Sequence, residues 1–399
     1  MTSCTYQSAI DYPRLTRVQS SQLREKVDRA VAQKASDLNL GMKVVSLKTG
    51  EVIYERNGNH LFTPASNTKL ITAAAALHIL GPHYRFRTAV YSDSPLSSAV
   101  LKGNLYLKGS GDPELTDEDL EEMVHDLQLQ GLTTIQGNLV IDGSEFDSDP
   151  WGPGWMWDQG SHWFSAPVDA VTLNDNCVIV RVTPAARSGT PPMVRIDPPT
   201  KYVSTEVEAV TVSGDSLRNG LTVERRWRTR ENIIDITGAI SIHESPRDYV
   251  VSIENPALYT GTVLEELLQE SGIELTGEVI QDSVPRRAVP LVVHTSRPLS
   301  ESVKNFLKVS HNLTGELLLK KIGGETEGLP GSWKKGLKSI KTFLQNEVRV
   351  DTTTLVMADG SGSSRYNLLS PDHVVRLLAW AHDNFQLFPE FSSALPIGG

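Results

Sequence analysis

Residues 62–77 read "FTPASNTKLITAAAAL", and the fold is read outward from the spacing of Ser66 and Lys69, three apart, just after a proline and at the mouth of an alanine-rich run. Pro64 and the small polar residues Ser66, Asn67 and Thr68 form a helix-start signal. The following "KLITAAAALHIL" combines strong helix formers with apolar residues on most faces, which predicts a buried helix. In its first turn, residues three apart share a face, so the Ser66 hydroxyl and the Lys69 amine are expected side by side near the positive end of the helix dipole. A desolvated lysine there can lose its proton and act as a base toward the serine. An N-cap serine with an unrelated lysine gives the same spacing, so the pair needs support from elsewhere in the chain.

At 399 residues the chain is too long for one ordinary core and suggests two or three domains. Its 48 acidic against 38 basic residues give a net charge of -10, which argues against a nucleic-acid surface or a polybasic membrane anchor. No run approaches the roughly 18 apolar residues of a membrane span, and the start, "MTSCTYQSAIDYPRLTR", lacks the apolar region of a signal peptide. Cys4 and Cys177 leave a disulfide open but offer no metal-ligand spacing. HExxH, phosphate-loop and GxGxxG patterns are absent from the sequence, so neither metal nor nucleotide cofactor is expected.

Residues 20–34 read as an amphipathic helix, and "LGMKVVSLKTGEVIYERN" (40–57) as two strands around a turn at Lys48, Thr49 and Gly50. From about residue 86 the texture changes to short strands and turns. Within it, "LEEMVHDLQLQGLTTIQGNLVID" (120–142) is echoed by "LEELLQESGIELTGEVIQD" (264–282): a helix, a glycine stop, then a strand around a second glycine. Both read as helix–strand units of one α+β subdomain, separated by a β-rich stretch. The expected organisation is a split domain of residues 1–86 and 288–399, an inserted α+β subdomain of 87–176 and 261–287, and a nested β-rich subdomain of 177–260.

The returning half contains "VSHNLTGELLLKKIG" (309–323), with Ser310 and Asn312 on a short loop between helical patterns. A serine hydroxyl there can relay a proton, and an asparagine amide can orient a lysine or hold a substrate amide; a cap serine and a turn asparagine are the plainer alternative. "MADGSGSSRYNLLSP" (357–371) means by itself only a tight turn leading into a helix.

In order, "PASNTKLITAAAAL", an insertion of some 200 residues, "SHNLTGE", "ADGSGSSRYNLLSP" and "FSSALPIGG" resemble the D-alanyl-D-alanine carboxypeptidase/endopeptidases, the class C low-molecular-mass penicillin-binding proteins with a penicillin-recognising serine transferase fold. "GNLYLKGSGDPEL" and "FSAPVDAVTLNDNCVIV" in the insertion are also similar to that family's segments. The resemblance implies an α+β fold, a helix-sandwiched antiparallel sheet of the β-lactamase/transpeptidase kind, with two nested inserted subdomains. It implies that Ser66 is the acylated nucleophile and Lys69 its base, its pKa lowered by burial and by neighbouring positive charge. Ser310 would pass the proton to the leaving D-alanine, and Asn312 would hold the substrate amide and steady Lys69. His311 stands where the family commonly has aspartate, with little consequence expected. The implied partners are peptidoglycan stem peptides and β-lactam antibiotics, in a periplasmic or extracytoplasmic setting.

The family's third element, a Lys-Thr-Gly on an edge strand, is expected after "LPIGG", so the chain is read as truncated, without a carboxylate anchor and the strand beside an oxyanion donor worth about 10²–10³ in rate. Lys48-Thr49-Gly50 precedes Ser66 and is read as a hairpin turn. Two other readings stay open: a β-lactamase or esterase on the same framework, and a catalytically dead cell-wall binding protein.

Overall fold

The computed structural model describes residues 16–34, 38–96, 99–214 and 220–398; Cys4 lies outside them, and Cys177 is a buried free thiol. The architecture is mixed α+β. Helix α1 (Arg17–Lys34) is followed by an antiparallel hairpin of Met42–Val45 and Val52–Arg56, whose turn carries Lys48-Thr49-Gly50 with Gly50 at φ 69°. The α1 helix forms where expected, but among its described side chains only Val31 is buried. Polar contacts hold it instead: Arg24 Nε donates to the Ile53 carbonyl at 2.9 Å, and Tyr54 donates its hydroxyl to Asp28 at 2.7 Å.

Ser66 sits in a single 3₁₀ turn, Ala65–Asn67, that runs directly into helix α2 (Thr68–Ile79). Ile71 and the stretch Ala73–Leu77 are essentially inaccessible, because alanines let neighbouring helices approach α2 closely. Those neighbours arrive from the far end of the sequence: α5 (Leu299–Lys308), α6 (Asn312–Glu327), α7 (Trp333–Asn346), α8 (Pro371–Asp383) and α9 (Phe388–Ala394). One buried cluster joins Ile71 and Leu77 of α2 to Phe306, Leu317, Ile340, Leu377 and Phe391. The strand Met42–Val45 packs on α8, tied by Lys43 to Asp372 at 2.5 Å.

Between α2 and α5 lies a five-stranded mixed sheet in the order Val279–Gln281, Leu139–Asp142, Leu105–Lys108, Arg87–Ser92, Val289–Thr295. The two echoed sequence units lie side by side in it: α3 (Asp117–Leu129) and α4 (Pro256–Glu270) pack together, and their following strands run parallel with Val279 opposite Leu139. The helix-ending glycines Gly131 and Gly272 take φ of 85° and 76°, the left-handed stop that glycine adopts without steric cost. Pairing of Val289–Thr295 with Arg87–Ser92 carries this sheet past residue 288, the boundary expected from sequence. Residues 177–260 are rich in short strands as expected, but share their buried cluster with the sheet: Leu107 and Ile141 belong with Val180, Ile234 and Ile236.

The segment after Asp142 returns to the α2–α5–α6 region. Lys320 of α6 is buried and donates to Asp147 Oδ1 and the Asp149 carbonyl, both at 2.6 Å. Further along, the buried Arg225 donates to the Gly160 carbonyl at 2.9 Å and to that of Ser252 at 2.7 Å. These contacts fix residues 147–164 against both parts of the molecule, and so set the position of Phe164 beside α6.

Candidate active site

Ser66 is exposed, while Lys69, one helical turn on, is buried. The Lys69 ammonium donates to three acceptors: Ser66 Oγ at 3.1 Å, Asn312 Oδ1 at 2.7 Å and the Ser361 carbonyl at 2.9 Å. Each comes from a different element, and the three exhaust the donors of an ammonium. Burial pulls the Lys69 pKa down to about 8, against the Glu316 and Asp359 carboxylates, which raise it. The positive neighbour expected from the resemblance is not what lowers it: the charges facing Lys69 are negative, and desolvation alone drives the shift.

Asn312 opens α6. Its amide nitrogen donates to the Phe164 carbonyl and to Ser363 Oγ, both at 2.9 Å. With both amide hydrogens committed, its oxygen is fixed toward Lys69. Ser310 lies two residues earlier on the α5–α6 turn, half-buried, with φ 59°. Among the described residues no hydrogen bond joins its hydroxyl to Ser66, Lys69 or Asn312. His311 is buried facing the inserted part, its Nδ1 2.9 Å from Thr314 Oγ1, its ring 5.9 Å from that of Trp163, and its Nε2 3.4 Å from Asp175.

The loop that reads as a plain turn in the sequence builds one wall of the site. Asp359 accepts from the backbone N–H groups of Gly362 at 2.9 Å and Ser364 at 2.6 Å, from Asn367 at 2.6 Å and from the Trp155 indole at 3.0 Å. Glu316, fully buried on α6, accepts from the N–H groups of Gly360 and Ser361 and from the Trp333 indole. Gly362 has φ 88°, and a Cβ there would fall 1.9 Å from the Ala65 carbonyl oxygen. Gly362→Ala is therefore expected to cost about 2–4 kcal/mol through backbone strain and overlap, and to displace the turn that carries Ser66. Thermal unfolding of the variant checks the first effect and loss of acylation the second.

Six contributors went unseen in the sequence: Phe164, Trp155, Glu316, Asp359, Ser363 and the Ser361 carbonyl. Two of them arrive from the insertion, and Phe164 and Ser361 use backbone atoms on which residue identity leaves little mark. The available signal was that "FSAPVDA" and "ADGSGSS" both stand among the segments carrying the family resemblance.

The model of the D-Ala-D-Ala carboxypeptidase 3 (S13) family matches residues 23–399. The chain belongs to the S13 family of D-Ala-D-Ala carboxypeptidases. This S13 chain is 36% identical over 389 residues to a D-alanyl-D-alanine carboxypeptidase of Actinomadura sp. (strain R39), covering 95% of this chain and 71% of that protein. It is 27% identical over 347 residues to the D-alanyl-D-alanine carboxypeptidase DacB of Haemophilus influenzae, covering 87% and 71%. The S13 fold is matched by the crystal structure of penicillin binding protein 4 (dacB) from Haemophilus influenzae, with a TM-score of 0.83 and 26% identity over 94% of this chain and 81% of that one.

Proposed function

We propose that this chain is a serine-type D-Ala-D-Ala carboxypeptidase that cleaves peptidoglycan stem peptides through an acyl-enzyme on Ser66. The observation that carries the reading is the exposed Ser66 hydroxyl resting on a buried Lys69 amine whose other two partners are fixed.

In the ammonium form Lys69 donates to all three oxygens. On losing one proton it keeps two N–H donors for Asn312 and Ser361 and turns its lone pair to Ser66, whose hydroxyl then donates. Ser66 Oγ attacks the carbonyl of the penultimate D-alanine, and its proton passes to Lys69. As the tetrahedral intermediate collapses, the peptide bond breaks and the amine of the terminal D-alanine takes up a proton, delivered through Ser310 on the α5–α6 turn. Water then attacks the Ser66 ester, with Lys69 as base, and frees the shortened peptide. Asn312 serves mainly to hold Lys69, because both its amide hydrogens are already engaged; substrate must displace Ser363 or Phe164 to reach them. β-Lactams would acylate the same serine. A crystal structure of the Haemophilus influenzae protein in complex with a β-lactam has the same fold, at a TM-score of 0.77 and 24% identity.

Residues 1–86 and 296–399 are proposed to supply this chemistry, with 87–176 and 261–295, which includes the strand Val289–Thr295 of the inserted sheet, and within them 177–260, as insertions that brace it through Phe164 and Trp155. Peptidoglycan as substrate implies an extracytoplasmic setting; among the described residues no helix is long and apolar enough to cross a membrane.

The direct test is release of D-alanine from a peptide ending in D-Ala-D-Ala, with an L-Ala-L-Ala peptide as control. The reading predicts release from the first alone. Ser310→Ala is expected to lower that release by about 10²–10³-fold, with deeper loss for a poor leaving amine than for an activated ester. Equal hydrolysis of both stereoisomers, or of a simple ester only, would favour an esterase.

A further inference from the structure

We propose that Glu316 is a positioning residue for acylation: its buried carboxylate locks the Gly360–Ser361 peptide so that the Ser361 carbonyl stays on Lys69 Nζ.

The lock is two-sided. The carboxylate takes the Ser361 N–H at 2.8 Å through Oε1 and the Gly360 N–H at 3.0 Å through Oε2. From the other side Thr72, one turn after Lys69 on α2, donates its hydroxyl to the Gly360 carbonyl at 2.7 Å. The peptide unit between Gly360 and Ser361 is thus held at both its C=O and its N–H, which fixes its plane; the Ser361 carbonyl lies in the next peptide unit, whose Gly362 N–H is held in turn by Asp359 at 2.9 Å, so the two anchored planes together aim it. That carbonyl is 2.9 Å from Lys69 Nζ. Oε2 also takes the Trp333 indole N–H at 2.7 Å, so α7 holds the carboxylate in its rotamer. A carboxylate with no exposed surface is costly to keep unless its lone pairs are filled; here two backbone amides and an indole fill them. An amide side chain could accept from one of those donors with its oxygen, while its own NH₂ would face another N–H.

The same group acts on Lys69 through charge. The ionisable groups facing Lys69 are Glu316 from α6 and Asp359 from the 355–370 loop, and both favour its protonated form. Burial first, and then the facing Asp359, push the Glu316 carboxyl pKa upward; Lys69 faces it from α2. From α7 Glu316 meets only the neutral indole of Trp333, over whose ring the Lys320 ammonium sits at 3.8 Å. Removing the Glu316 charge removes one of the two anions that hold the proton on Lys69, so the base form becomes available at lower pH. Release of the Ser361 carbonyl, an acceptor for the ammonium, moves the midpoint in the same direction.

This inference rests on Ser66 and Lys69 acting as proposed above. The experiment is the pH dependence of the rate at which benzylpenicillin acylates Ser66 in the wild type, Glu316→Gln and Thr72→Val, read by intact mass against time. The wild type is expected to show a rate rising to a plateau with a midpoint near that of Lys69. Glu316→Gln is expected to lower the plateau by about 10–100-fold, the scale of an Ångström-level misplacement, and to shift the midpoint downward by about one pH unit. Thr72→Val leaves the charge in place and loosens only the other side of the lock, so it is expected to lower the plateau with a smaller downward shift of the midpoint than Glu316→Gln. A merely structural loss would reduce the amount of acylatable protein without changing rate or midpoint. A folded Glu316→Gln with wild-type rate and midpoint overturns the proposal. Should that variant not fold, an unchanged plateau in Thr72→Val overturns it alone. No acylation of wild type overturns the Ser66 reading and this inference together, a result distinct from either variant's.

Discussion

Ser66→Ala is expected to abolish detectable release of D-alanine from D-Ala-D-Ala peptides, lowering kcat by more than about 10³-fold, because it removes the oxygen that forms the acyl-enzyme. Nothing nearby replaces it. Lys69 keeps Asn312 and the Ser361 carbonyl as partners in the variant, so the pocket should persist and only the attacking oxygen is lost. The fold should be indifferent, because Ser66 is exposed and its side chain caps no helix. Unfolding temperature equal to wild type together with undetectable D-alanine release is the expected pair of results. Retention of more than about a hundredth of the activity would place the nucleophile elsewhere.

The second large effect concerns the base. Lys69→Met should lower acylation by about 10²–10⁴-fold, the usual yield of a positioned general base, and should remove its pH dependence. Burial holds the Lys69 pKa at about 8, so in wild type about a tenth of the molecules carry the neutral amine at pH 7, and the rate should climb as pH rises through 8. The same shift has a sign for stability. The folded value lies below the unfolded one of about 10.4, so between pH 8 and 10.4 the unfolded chain binds more protons, and the contribution of this site to stability rises with pH across that window. Below pH 8 the full penalty of a buried ammonium is present; above 10.4 it is gone. Lys69→Met should flatten that rise, which denaturant unfolding at pH 7.5 and 10 would measure.

How far the sequence disclosed this site depended on which atoms carry it. Ser66 and Lys69 were legible because a helical turn brings residues three apart together whatever the rest of the chain does. Asn312 became legible only through its order in the chain with the other segments. The Ser361 and Phe164 carbonyls were hidden, since any residue supplies a carbonyl and only the tertiary fold aims it. Glu316 sits in "NLTGELLLKK", where it reads as one more polar position on a helix; that it is wholly buried follows from Gly360, Ser361 and Trp333 converging on it. In the fold, the echo of 120–142 in 264–282 was readable as two like units, and the parallel pairing of their strands followed. The strand Val289–Thr295 was harder, because its partner Arg87–Ser92 lies some 200 residues away and its own pattern fits either side of the boundary.

The central claim is that the described residues form an assembled acylation site on Ser66. Its most direct test is intact mass spectrometry of this chain after incubation with benzylpenicillin, followed by peptide mapping of the adduct. The account predicts one covalent penicillin per chain, located on the peptide containing Ser66 and absent from Ser66→Ala. A folded chain that takes up no penicillin, or takes it up at a residue other than Ser66, would contradict it.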